Sequence, residues 1–150
     1  MIQTEGIRLT GKIIATLTSP SGVRKEERVY NTVTTVGKTT LAAWLAAASQ
    51  AGEFFTYLAV GLGTAAPAAG DTALGSEVAT RVDGVLSSST NVWQNLGTFA
   101  AANPGSAVAI TEAGLFNAST TGTILARGTF AAINKATADS LALTWQITYS

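Results

Sequence analysis

At the end of the chain Leu141, Leu143, Trp145, Ile147 and Tyr149 alternate with Ala142, Thr144, Gln146 and Thr148. Successive Cβ atoms of a strand point to opposite faces, so this period predicts a strand with one apolar face. A register slip of one residue would turn that whole set to solvent. Such a face must be buried against other elements, and the remaining sequence offers mostly strands.

In order, Ile7 to Thr18 is rich in Ile, Leu and Thr and predicts a strand. Ser19-Pro-Ser-Gly22 predicts a hairpin turn, because proline presets φ and glycine accepts positive φ. Arg24, Lys25, Glu26, Glu27 and Arg28 carry the densest charge and read as a solvated hairpin arm or sheet edge. Val29 to Val36 is strand-like again. One α-helix is predicted over about residues 38–51, opened by Gly37-Lys-Thr-Thr40 and ended by Gly52. Leu41, Trp44, Leu45 and Ala48 fall at helical spacing, and Leu41, Trp44 and Leu45 would lie on the sheet or on a neighbouring subunit.

Phe54 to Leu62 barely alternates and predicts a strand buried on both faces. Thr64 to Ala79 is a long connection of small residues holding Pro67 and Asp71. Val82-Asp-Gly-Val85 predicts a type I′ hairpin turn. Asn91–Ala101, Val108–Phe116 and Ile124–Ile133 predict further strands, parted by Asn103-Pro-Gly-Ser106 and by loops over 117–122 and 134–139. Glu112-Ala-Gly114 interrupts its apolar strand, and Gly114 points to a bulge or a close backbone approach. Strands recurring at roughly 8–12 residues between turn signals argue for an all-β architecture. The expected fold is mainly β, an antiparallel β-sandwich or jelly-roll-like barrel with one helix. The expected organisation is a single domain over 1–150, with 1–33 forming an N-terminal hairpin or docking arm.

The composition narrows the function. Hydrophobic residues make up 47% and charged residues 12%, with formal net charge zero. A nucleic-acid partner would call for a basic excess on one face. So little charge gives weak self-repulsion and suits a chain packed against copies of itself or a large partner. The chain has no cysteine and no histidine. That removes disulfides, thiolate chemistry, the usual general base and the usual transition-metal ligands. Met1-Ile-Gln-Thr-Glu5 shows no basic region followed by an apolar run, so no secretory leader is expected there. No apolar stretch approaches the ~20 residues that span a bilayer.

Several motifs echo known chemistry. Gly37-Lys38-Thr39 matches the tail of a phosphate-binding loop, but Thr32 stands where that loop needs its first glycine. Gly61-Leu-Gly63-Thr-Ala-Ala66 follows a strand as a dinucleotide fingerprint does, with Asp83 near the spacing of the ribose-binding acid. Pro67 and Gly70 interrupt the helix it would require. The carboxylates are Glu5, Glu26, Glu27, Glu53, Asp71, Glu77, Asp83, Glu112 and Asp139. Two could serve a glycosidase, but nothing selects a pair. Glu112, in an apolar strand, is the one expected to have a raised pKa. Its expected role is structural, accepting bonds from backbone amides or from a basic partner such as Arg127. No catalytic, cofactor-binding or metal-ligating residues are assigned, and no cofactor is expected.

A resemblance adds what composition leaves open. Tyr57-Leu-Ala-Val-Gly-Leu-Gly-Thr, Ala66-Pro-Ala-Ala-Gly-Asp-Thr-Ala-Leu-Gly-Ser-Glu77, Ile110-Thr-Glu-Ala-Gly-Leu-Phe-Asn117, Phe130-Ala-Ala-Ile-Asn-Lys135 and Leu141-Ala-Leu-Thr-Trp-Gln-Ile-Thr148 follow one another. This order resembles a group of small virion proteins of tailed bacteriophages. Asn31-Thr-Val-Thr-Thr-Val-Gly-Lys38, running into the Ala/Leu helix, is similar to the front of the same group. The resemblance implies a structural protein of the virion, made in the host bacterial cytoplasm, and not an enzyme. It implies a capsid decoration, or cement, protein that binds the major capsid protein or other virion proteins, by analogy as a trimer. A tail, neck or fibre-associated adhesion module is the alternative, with Trp44 and Trp93 as aromatic candidates for contact. The connection Thr64–Ala79 is the candidate contact surface.

Overall fold

A computed structural model describes residues 6–47 and 54–150. The protein is mainly β, as expected, with one helix among the described residues. The strands are β1 (Leu9–Ser19), β2 (Gly22–Val33), β3 (Tyr57–Gly61), β4 (Val82–Asp83), β5 (Val85–Ser89), β6 (Val92–Phe99), β7 (Val108–Phe116), β8 (Ile124–Lys135) and β9 (Ser140–Tyr149); α1 spans Thr35–Ala46. They form one 9-stranded sheet in the order β4-β3-β7-β8-β2-β1-β9-β6-β5, every pairing antiparallel. Only Gly84 separates β4 from β5, yet these strands end the order on opposite sides. The sheet therefore curls into a nearly closed barrel or sandwich.

Period-two patterning builds the interior. Ile13, Ala15 and Leu17 of β1 and Leu141, Leu143, Trp145 and Ile147 of β9 point inward and are buried, in register as Ile13↔Trp145 and Ala15↔Leu143. Tyr149, counted on the same face, emerges at the rim and is exposed. Phe99, Ile110, Leu115, Leu125 and Ile133 are among the residues that join this core. The β1–β2 hairpin is not set apart from it, since β1 pairs with β9 from Leu9 to Thr18. Its turn is Pro20-Ser21, closed by Ser19↔Gly22, with Gly22 at φ 123°.

The charged half of β2 is the solvated arm expected. β2 meets β8 only at Thr32 and Val33. Where the two diverge, Glu26 pairs with Arg28 and Lys25 with Glu27, and the Lys25 ammonium donates to the Ala132 carbonyl.

Three local expectations are corrected. The helix begins before Lys38 because Thr34 caps it: Gly37 N–H donates to Thr34 Oγ1 at 3.0 Å. It ends at Ala46, and Ala47 is already extended; the expected continuation to 51 and the terminator Gly52 lie outside the described residues. The strand expected over Phe54–Leu62 is the shorter Tyr57–Gly61, buried on both faces from Leu58 onward. Asp83-Gly84 turns no hairpin. The chain runs on from β4 into β5, and Gly84 is needed because a Cβ there would strike the Asn95 side chain. The hairpin turn of this region is Thr90-Asn91, between β5 and β6, with Thr90 at φ 53°.

Candidate interaction surface

The apolar strand β7 carries one carboxylate into the interior. Glu112 is fully buried, and the connection after β3 folds over it. Its Oε1 accepts from the amides of Gly63 and Ser76, each at 2.8 Å, and its Oε2 from the amide of Gly75 at 3.0 Å. From β8, Arg127 donates its Nε–H to Oε2 at 2.9 Å, and its Nη2 lies 2.8 Å from the same oxygen. Arg127 Nη1 donates to Asp71 of the connection at 3.0 Å. A carboxylate offers about four lone-pair positions, and these partners use them. Gly61 and Gly63 are required because a Cβ on either would strike the Glu112 carboxylate, at 2.5 Å from Oε1 in each case.

The partners expected for Glu112, backbone amides and Arg127, are those found. The expected raised pKa is overturned. Burial pushes the carboxyl up, but the amides of Ser76 and Gly75, the Arg127 guanidinium and the amide of Gly63 outweigh it and hold it below the usual carboxylate range. Asp71 follows the same pattern: burial raises it, while the Ala68 amide and Arg127 bring it below its usual value. For Arg127, burial lowers the pKa, and Glu112 and Asp71 more than restore it.

The connection is thus anchored from below by charge and open from above. The segment returns beside β3 through Leu62 N–H to Ser76 O and Val78 N–H to Val60 O. Thr64, Ala65, Ala66, Ala68, Ala69, Gly70, Thr72 and Ala73 are exposed. Leu74 tucks inward where Gly114 leaves room, a Cβ at Gly114 falling 2.9 Å from its Cδ2. At the far end Arg81 lies 3.6 Å over the Phe116 ring, pairs with Glu77 and donates to the carbonyls of Ala118 and Thr121.

A second exposed surface lies at α1. Gly37 sits directly on β8, where a Cβ would approach the Leu125 Cα to 2.6 Å. Leu41 and Trp44 pack on the core, and Trp44 meets Phe55 at 5.0 Å between ring centres. Leu45, expected on the same face, is 84% exposed. A groove bordered by Ile7, Leu41, Trp44, Leu45 and Tyr149 runs along the helix. Trp44 and Trp93 both line a small cavity beneath α1, so neither is an open platform for a sugar ring.

The other candidates fall apart in space. Around Gly37-Lys38-Thr39 the helix-start amides are taken: Thr35 N–H by Ala69 O, Gly37 N–H by Thr34 Oγ1, Lys38 N–H by Thr34 O. In Gly61-Leu-Gly63 the second glycine spends its amide on Glu112, and Asp83 is exposed at the end of β4. Glu26, Glu27 and Glu77 are taken up in ion pairs with Arg28, Lys25 and Arg81, and Asp139 accepts from the Ala136 amide. Glu5 and Glu53 lie outside the described residues. Among the described residues no group of acids is placed to hold a metal ion, and no helix is long and apolar enough to cross a membrane. Sequence reading missed the role of Asp71 as the second partner of Arg127, since only the folded connection brings residues 71, 112 and 127 together. No protein-family model matches this chain, and no curated protein or solved structure matches it significantly.

Proposed function

We propose that the chain is a structural protein of a tailed-bacteriophage particle that decorates the head shell, binds the major capsid protein and holds neighbouring shell subunits together. The observation that carries this reading is the connection over 62–79. Its outer face is a run of small, exposed residues, while its backbone is held by a buried carboxylate and an ion pair. A surface fixed before binding loses little conformational entropy on docking, and small side chains have few rotamers to freeze. Low charge and an order of segments that resembles small phage virion proteins support the same reading. On this reading the chain acts by binding and needs no cofactor. Stabilisation follows from linkage, because a protein that binds the assembled shell raises the free energy needed to open it.

The test is the number of copies in purified particles, by quantitative gel densitometry against the major shell protein. Roughly one copy per shell subunit supports a decoration protein. A few copies to a few dozen would move the chain to the neck, tail or fibres. Absence from particles would overturn the virion reading. Particles lacking the protein should also break at lower temperature; equal heat resistance would refute the cement role.

A further inference from the structure

The outer face of β5, β6 and β9 carries no charge, since none of the three strands contains a charged residue. On an ordinary protein surface about a quarter to a third of the residues are charged. Cross-strand register sets Ser87, Gln94 and Gln146 in one row, with Ser89 and Val92 in the next. The residues between them turn the other way. Trp93 and Ile147 line the cavity beneath α1, and Asn95 donates to the carbonyls of Phe55 and Thr56. The row of Ser87, Gln94 and Gln146 therefore faces away from α1 and from residues 54–56.

Ser87, Ser89, Thr90, Asn91, Gln94 and Gln146 line a hollow of about 430 Å³ on this face, and Val92 adds an apolar patch to its wall. Gln146 Nε2 donates to Gln94 Oε1 at 3.0 Å, and Asn91 Nδ2 donates to the Tyr149 carbonyl at 2.7 Å. These bonds hold three amides in place and leave each with unspent groups: N–H on Gln94, and a carbonyl oxygen on Gln146 and on Asn91. Among the described residues no side-chain bond engages those groups or the hydroxyls of Ser87, Ser89 and Thr90.

We propose that this hollow is a carbohydrate-binding site that takes a neutral oligosaccharide. Hydroxyls and amides both donate and accept, as sugar hydroxyls do, whereas a carboxylate only accepts and an ammonium only donates. An uncharged lining of such groups is the electrostatic match for an uncharged polyhydroxyl ligand. A phosphate or an acidic peptide would find no cation in the hollow. Amides already held by their neighbours lose little freedom on binding. Val92 offers contact to the C–H face of a sugar ring. The row continues past Gln146 to Lys12, outside the hollow, and then to Tyr30, which is 84% exposed. Tyr30 stands three strand spacings from Gln94, ~14 Å. A further unit of a longer sugar chain can lie on its ring. The inference does not depend on the virion reading, because it concerns binding by the isolated chain.

The test is binding of the whole chain to an array of immobilised oligosaccharides. Neutral members built of glucose, mannose, galactose or N-acetylglucosamine stand beside sialylated and phosphorylated counterparts. At least one neutral oligosaccharide should bind saturably, and its charged counterparts no more tightly. Titrated into isotope-labelled protein, it should shift the side-chain NH2 resonances of Gln94, Gln146 and Asn91. Gln94 and Gln146 point out of the core, so Gln94→Ala and Gln146→Ala should both keep the wild-type thermal transition. Each should weaken binding about tenfold, the worth of one or two lost hydrogen bonds. Tyr30→Ala should weaken binding of a long chain and leave that of a disaccharide unchanged. Five results would each overturn the inference: no neutral ligand on the array, tighter binding of charged members, wild-type affinity in both glutamine variants, resonance shifts confined to another surface, or a Tyr30→Ala effect that ignores chain length.

Discussion

Replacing Glu112 with glutamine keeps the shape of the side chain and removes its charge. The residue is fully buried, and both of its oxygens face N–H donors: Gly63 and Ser76 on Oε1, Gly75 and Arg127 on Oε2. In either orientation the new NH2 group therefore meets donors, and Arg127 loses its closest counter-charge. Breaking a buried ion pair by removing one partner costs ~3–5 kcal/mol. Asp71, 3.0 Å from Arg127 Nη1, retains part of the compensation, which places the expected cost at about 3–4 kcal/mol. For a chain of this size ~2–4 °C of Tm goes with each kcal/mol, so the transition should fall by about 10 °C. Thermal denaturation at neutral pH measures it. Limited proteolysis adds a local readout, because the connection 62–79 should be cut well before global unfolding once its amides lose their acceptor. Adding Arg127→Met should recover part of the loss, since no uncompensated guanidinium then remains buried. A Tm unchanged within about 2 °C, with the connection still resistant, would refute the view that Glu112 holds this segment.

Acid should reveal the same cluster. A carboxyl with a lowered folded-state pKa contributes stability that is present above its unfolded value and lost as pH falls through the folded one. Glu112 and Asp71 are both lowered, so stability should hold from neutrality to about pH 5 and fall below about pH 4. The acid limb of a pH-dependent melt should flatten in Glu112→Gln; an unchanged slope would count against the assignment. Trp145 is fully buried at the centre of β9, and Trp145→Ala should cost ~3–5 kcal/mol by chemical denaturation. Gly37→Ala should destabilise by ~1–3 kcal/mol although alanine favours helices, because the Cβ would meet Leu125 backbone atoms at 2.6 and 2.8 Å. A stabilised Gly37→Ala variant would show that α1 does not rest on β8 as described.

Short-range patterns were readable from the chain. The alternation in β9, the Pro20-Ser21 turn, the apolar run of β3 and the mixed charge of β2 each express a preference that lies within a few neighbouring residues. The mainly β class followed from them. The start of α1 was misplaced because Gly37-Lys-Thr resembles a helix opening, whereas Thr34 reaches both Gly37 N–H and the Ile124 carbonyl. That second bond belongs to the folded state alone. Asp83-Gly84 shows the same limit. Its turn chemistry is real, but closure of the sheet carries the chain straight on, and the glycine serves to clear Asn95.

The candidate surface divides along the same line. Sequence alone marked Thr64–Ala79 as a small-residue segment and paired Glu112 with amides or Arg127, because an acid in an apolar strand must find donors. It could not settle the sign of the pKa shift, which depends on how many donors arrive and how near they come. Nor could it name Asp71, Gly63, Gly75 and Ser76 as the residues that meet there. Local periodicity determined which segments become strands, since that choice depends on which side chains share a face. The tertiary structure decided which distant segments meet and which carboxylate is buried with its partners. Those outcomes depend on the order of strands in the closed sheet, and no short window of sequence contains that order.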